Sequence, residues 1–275
     1  MVSQGSATTG YTKISEWWVG DFPQYMTINS SDCIYITVPN EGKVKYFDPS
    51  GSQLGEWIIE GFPWGISVDP GTGNVYVADY YKHQVQYFNS SGFFLGKWGS
   101  YGKGDGQFNC PTGIFASPGT VYVTDTGNNR IEFFDMNGRY KGQWGKEGKD
   151  ILEYKMPGAI IKNSYPGIYV ADENNYRIQA NIFDTSGPLS TAGWGKRGDK
   201  NGQFQWISGI ATDSAGLIYV SDKAQNRIQY FSSKGKYLGS ITDDFYFPQS
   251  VAINSKNYVY VLNSGLNKVE VYKKT

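Results

Sequence analysis

The chain has 275 residues, with 25 Lys plus Arg balanced by 25 Asp plus Glu, so no whole-chain attraction to nucleic acid or to an anionic membrane is expected. Hydrophobic residues make up 39%, enough for a core, while 35 Gly, 22 Tyr and 8 Trp suit many short strands joined by tight turns. The only cysteines, Cys33 and Cys110, show neither a disulfide framework nor metal-ligand spacing, and they leave the redox compartment open.

Met1 to Gly10 is small and polar and reads as a linker-like leader, the end of a flexible connection from a longer surface protein. No apolar stretch of signal-peptide or membrane-spanning length follows, so no membrane insertion is expected. Next comes Tyr11-Thr-Lys-Ile-Ser-Glu-Trp17, which precedes Phe22-Pro23 as Phe94-Leu-Gly-Lys-Trp98 precedes Phe108.

From there the chain repeats itself. Ile34-Tyr-Ile-Thr-Val38, Val75-Tyr-Val-Ala-Asp79, Val121-Tyr-Val-Thr-Asp125, Ile168-Tyr-Val-Ala-Asp172, Ile218-Tyr-Val-Ser-Asp222 and Val259-Tyr-Val-Leu-Asn263 end at steps of 41, 46, 47, 50 and 41 residues. That period belongs to propeller blades or solenoids. Each unit holds four short apolar stretches separated by Gly, Asn, Asp or Pro, as in Thr112-Gly-Ile-Phe-Ala116, Val121-Tyr-Val123, Arg130-Ile-Glu-Phe-Phe134 and Tyr140-Lys-Gly-Gln-Trp144. Four strands per repeat make a blade.

The expected fold is therefore all-β, a six-bladed β-propeller of four-stranded antiparallel blades. The blades fall near residues 22–57, 62–98, 108–144, 154–194, 204–241 and 247–273. The last unit lacks its fourth strand, and 11–18 supplies it, closing the ring and protecting the terminal edges. Trp57, Trp98, Trp144, Trp194 and Trp17 recur in the outer strands and are expected to pack against the adjacent blade.

The segments Asp125-Thr-Gly-Asn-Asn-Arg-Ile131, Asp172-Glu-Asn-Asn-Tyr-Arg-Ile178 and Asp222-Lys-Ala-Gln-Asn-Arg-Ile228 resemble NHL repeats, and the resemblance extends over roughly residues 11 to 272. Blade two departs from the pattern with His83-Gln84, and blades one and six replace the Asp by Val38 and Asn263. Asp125/Arg130, Asp172/Arg177 and Asp222/Arg227 are expected to staple their own loops as exposed pairs, each contributing roughly 0 to 1 kcal/mol.

Some related propellers are enzymes that gather metal ligands or catalytic His, Asp and Glu at one mouth of the central channel. The expected innermost strands, 25–28, 65–68, 113–116, 159–162, 209–212 and 250–253, contain no Asp, Glu or His, so the sequence predicts no metal, no cofactor and no catalytic residue. His83 reads as a solvated loop residue, and Cys110 as a small buried one. Asn29, Asp69, Asn163, Asp213 and Asn254, at the opposite mouth, read as turn residues bonding their own backbone.

The remaining candidates are binding residues on the loop face: Trp64, Tyr80, Tyr81, His83, Tyr176, Trp206 and Arg197. They suggest a non-catalytic module recognising a protein, peptide or glycan. Asn29-Ser-Ser31 and Asn89-Ser-Ser91, as glycosylation sequences, are compatible with an extracellular or cell-surface location. Two alternatives compete with this reading. Resemblance to the NHL domains of some animal regulators implies single-stranded RNA binding, aided here by Lys103, Lys146, Lys149, Lys196, Arg197 and Lys200. The other is a metal-dependent lyase or a lactonase-like propeller enzyme.

Overall fold

A computed structural model describes residues 10–163, 167–184 and 187–275, and for 183, 184 and 187–191 the backbone alone. The leader assigned to residues 1–10 lies outside these residues, save Gly10. Six four-stranded antiparallel sheets form the blades of a ring. From the channel outward, the first blade runs Met26–Ile28, Ile34–Val38, Lys43–Phe47 and Gln53–Ile58. The others repeat this order, and the sixth takes its outer strand from the N-terminus, Tyr11–Trp18 pairing with Lys268–Lys274. No helix of the described residues is long and apolar enough to cross a membrane.

Five of the six second strands, such as Val75–Asp79 and Ile218–Asp222, are buried at every position, and in blade three only Thr120 and Tyr122 are half-buried. Each is covered by a neighbouring blade on both faces, so continuous apolar runs replace the alternation of a half-exposed strand. The outer strands have a solvent edge and alternate, as in Gln53–Ile58. Their tryptophans cover the turns of the next blade: Trp98 lies so close to Gly138 that a Cβ there would collide with the indole, and Gly138 has φ +85°. The same Trp-on-Gly contact joins Trp17 to Gly51, Trp57 to Gly92 and Trp194 to Gly235.

Each second strand turns into the third through a tight loop whose first anchor is the strand's last side chain. Oδ1 of Asp79, Asp125, Asp172 and Asp222 accepts from the backbone N–H of Phe62, Asn109, Lys155 and Gln205, at the start of the same blade, and Asn263 accepts from Tyr246. In blade one, where Val38 cannot accept, Glu41 Oε1 takes the Asp21 N–H instead.

The arginine pairs are not exposed staples. Asp125, Asp172 and Asp222 have wholly buried side chains, and Arg130, Arg177 and Arg227 retain only 9%, 21% and 11% exposure. Each guanidinium also reaches beyond its own turn. Arg130 donates to the carbonyls of Lys103, Gly104 and Gln107, Arg177 to those of Lys149, Asp150 and Glu153, and Arg227 to those of Lys200 and Gln203. These carbonyls belong to the long glycine-bearing connections that enter blades three, four and five. Blades with short connections carry Lys43, Gln84 or Lys268 at this position and need no fork.

Two residues beyond the arginine the pattern wants a glutamine. Nε2 of Gln86, Gln179 and Gln229 donates to Oδ2 of its blade's Asp. Blade three has Glu132, fully buried between Arg130 at 2.7 Å and the Gly106 N–H. The ion pair favours its charged form, but burial foremost, with Asp125 nearby, pushes its carboxyl up to about 7. An acid whose native pKa is raised stabilises the fold below its unfolded pKa and loses that contribution as pH rises through the native value. Glu132→Gln is therefore expected to be close to neutral at pH 4 and to stabilise at pH 8 by on the order of 1–3 kcal/mol. Urea denaturation at the two pH values measures this, and an unchanged difference would show that Glu132 is not the titrating group.

At the opposite mouth, Oδ1 of Asn29, Asp213 and Asn254 accepts backbone N–H groups of its own turn, and Asp69 accepts from Thr72. Asn163 Nδ2 donates to the Gly216 carbonyl of the neighbouring blade.

Candidate active site at the channel mouth

The inner strands surround a channel with a cavity of about 280 Å³, lined by residues such as Ile66, Ile114, Ile160, Ile210 and Val251 from successive blades. Its lining contains no carboxylate, histidine or cysteine. Tyr25 bridges the channel at the end where the inner strands begin, its hydroxyl donating to the Ser208 carbonyl on blade five at 2.8 Å.

The mouth is built from one position of the repeat, the residue immediately after the buried Asp. It is Pro39, Tyr80, Thr126, Glu173, Lys223 and Ser264 in successive blades. Thr126 and Ser264 donate their hydroxyls to the carbonyls of Pro157 and Pro23 on the following blade. The Glu173 side chain hydrogen-bonds Trp206 on blade five, and Lys223 lies over the same indole ring.

Glu173 opens the turn Glu173–Asn175, and its carboxylate lies against Gly158, where any Cβ would occupy the same space. Water reaches part of the residue, yet the carboxyl group is enclosed, and this loss of hydration pushes it up to about 8 against the pull of Lys223 and the Trp206 indole. Lys223, on blade five, holds Nζ 4.6 Å from the Trp206 ring centroid and 5.8 Å from that of Phe247. Burial lowers its pKa, and Glu173 opposes the shift. On blade six the buried Gln249 Oε1 has no hydrogen-bond partner among the described residues. An enclosed acid and a partly buried amine thus stand on adjacent blades of one mouth.

Across the mouth, Trp64, Tyr80 and Tyr81 join Phe62 in one aromatic cluster, with centroid separations of 4.8–5.9 Å and Tyr81 66% exposed. Trp206 stands on the other side with Lys223. Tyr176, whose N–H donates to the Glu173 carbonyl, pairs with Arg197, the guanidinium carbon lying 5.4 Å from its ring centroid. His83 is not a solvated loop residue. Its Nδ1 accepts the Cys110 N–H at 2.9 Å and its ring lies 4.9 Å from Tyr101.

This bond is one of a series between blades. Oδ1 of Asn129, Asn226 and Asn267 accepts from Met156, Phe247 and Phe22 in the same way. His83→Asn is accordingly expected to preserve stability, and His83→Ala to lose about 1 kcal/mol. Thermal unfolding of both variants would show this, and equal losses would remove the latch.

An NHL-repeat family model matches residues 61–88, the start of blade two to the end of its third strand. The chain is a six-bladed propeller with an NHL repeat in its second blade. Comparison with curated proteins gave no match. Among solved structures, this propeller is similar to a streptogramin B lyase, with TM-score 0.70 and 12% identity over 98% of this chain and 100% of the other. It is also similar to a catalytically inactive histidine-to-alanine variant of virginiamycin B lyase from Staphylococcus aureus with quinupristin, with TM-score 0.67 and 14% identity over 96% and 88%. A gluconolactonase from Xanthomonas campestris gives TM-score 0.73 and 12% identity over 93% and 86%. Identity at this level carries the fold alone.

These comparisons correct the expectation of a non-catalytic recognition module: near-full-length structural neighbours of the propeller include lyases and a lactonase. The inner strands do lack carboxylates, but Glu173 reaches the mouth from the turn after the second strand. A metal-dependent version of such an enzyme does not fit. No three His, Cys, Asp or Glu residues gather to hold a metal among the described residues, and the Thr126 and Ser264 hydroxyls at the mouth are engaged with carbonyls.

Proposed function

We propose that this propeller is an enzyme of the lyase or lactonase type that opens an ester, foremost a cyclic one, by proton transfer through Glu173. The enclosed carboxyl of Glu173 beside Lys223 carries the reading, and the names of the structural neighbours support its reaction class. As a carboxylate, Glu173 takes a proton from an attacking water in hydrolysis, or in elimination from the carbon next to the one that bears the ester oxygen, so that C=C forms as that C–O bond breaks. As an acid, it returns that proton to the departing oxygen. A pKa near the working pH suits a group that must do both.

The Phe62–Trp64–Tyr80–Tyr81 cluster offers rings on which a flat or apolar part of the substrate can rest, opposite the reacting groups. Tyr25, crossing beneath them, keeps the substrate at the mouth. A panel of lactones and aryl esters followed by pH-stat tests the reading, with turnover in wild type and its loss in Glu173→Gln expected. Equal turnover by both proteins would overturn it. Reaction in ¹⁸O-water separates the two routes, because only hydrolysis labels the acid product.

A further inference from the structure

We infer that Lys223 is a nucleophile that forms an imine with an aldehyde or ketone held at the channel mouth. The inference rests on the reading of this mouth as a reactive site, but on no ester chemistry. Lys223 is set apart from the lysines that form surface ion pairs. Lys43, Lys82, Lys146 and Lys268 all lie 2.6–3.2 Å from a glutamate oxygen. No hydrogen bond or ion pair takes up the Lys223 ammonium among the described residues, and its surroundings are the faces of Trp206 and Phe247.

The groups facing it are few. Asp222, its chain neighbour, is committed to Arg227 and to the backbone N–H groups of Gln205 and Trp206. Glu173 is the ionisable group that interacts with it electrostatically. The ring faces favour the ammonium to some degree. Enclosure acts the other way, and an amine recessed among apolar groups is the usual setting of a nucleophilic lysine.

Glu173 supplies what imine formation also requires, an acid that is protonated near neutrality. The amine lone pair attacks the carbonyl carbon, the C–O π pair moves to oxygen, and that oxygen takes the Glu173 proton. The new ammonium nitrogen returns a proton to the Glu173 carboxylate, leaving a neutral carbinolamine. Glu173 then protonates the hydroxyl, the C–O bond breaks, and water leaves as the nitrogen lone pair forms C=N. One carbonyl oxygen departs as one water. The cationic imine remains beside the Glu173 carboxylate.

This chemistry selects an aldehyde or ketone with an apolar or aromatic substituent, since both walls of the mouth are aromatic. The test is reductive trapping of the full chain with benzaldehyde and sodium cyanoborohydride at pH 8, with adducts located by peptide mass spectrometry. Lys146, 76% exposed, is the internal reference. Lys223 is expected to label about ten-fold faster than Lys146. Glu173→Gln is expected to slow that labelling, and Trp206→Ala or Phe247→Ala to return it toward the surface rate. Labelling of Lys223 no faster than Lys146, or labelling indifferent to Glu173→Gln and to opening of the recess, overturns the inference. Trapping needs no turnover, so rapid adduct formation without ester opening would leave Lys223 as a nucleophile and remove the ester reading. Ester opening without an adduct would do the reverse.

Discussion

Glu173→Gln should lower kcat for ester or lactone opening by about 10²–10⁴-fold, with little change in KM, because it removes proton transfer while keeping the side chain's shape. The wild-type rate should rise with pH through about 8, where the carboxyl ionises, if the base form limits turnover. The variant's residual rate should lose that inflection. A rate that follows the same pH curve with and without the carboxyl would remove Glu173 from the chemistry.

The same substitution should stabilise the protein at alkaline pH, which separates lost chemistry from a damaged fold. The Glu173 carboxyl is held up near 8 by enclosure, whereas in the unfolded chain it ionises near its ordinary value. The native state therefore binds the proton that the unfolded state releases, and stability from this group falls between roughly pH 4.5 and 8. Glutamine carries no such penalty. An inactive variant that melts higher than wild type at pH 9 is the outcome expected of a destabilised catalytic acid. Loss of both activity and stability would instead mark Glu173 as a packing residue, needed against Gly158 and Trp206.

The two levels of this molecule differ in how they are written in the sequence. The blades are legible because every blade solves the same burial problem: a second strand covered on both faces yields the Ile/Val-Tyr-Val runs at a nearly constant step. The closure by Tyr11–Trp18 is legible because its tryptophan sits where the other outer strands place theirs. The mouth is hidden for the opposite reason. Its six residues occupy one register, yet Pro39, Tyr80, Thr126, Glu173, Lys223 and Ser264 share no chemistry, so the repeat pattern passes over them. Reading only the inner strands for carboxylates misses Glu173, which comes from a neighbouring turn. The usable signal was variation itself: two of these variable positions, adjacent in blade order, carry opposite charges.

The arginines show a third case, residues found by pattern but misjudged in energy. A tight turn between two strands suggests an exposed pair, because the partner that buries it lies 23 to 28 residues earlier, in the connection entering the blade. Arg130→Ala is thus expected to cost about 3–5 kcal/mol, well above a surface pair, because it strands Asp125 and Glu132 without their cation and frees three carbonyls of the 100–107 connection. For a domain of this size the melting temperature should fall by about 10 °C. The loss should be smaller at pH 4 than at pH 8. Both carboxyls already have native pKa values raised by burial, and without the guanidinium they can become neutral as pH falls. Arg130→Lys should recover little, since a single ammonium cannot reach Asp125, Gln143 and three carbonyls together. If Arg130→Ala melts within about 2 °C of wild type at pH 8, the clamp contributes no more than an exposed pair, and the long connections are held by Phe108, Tyr154 and Phe204 packing into the blades alone.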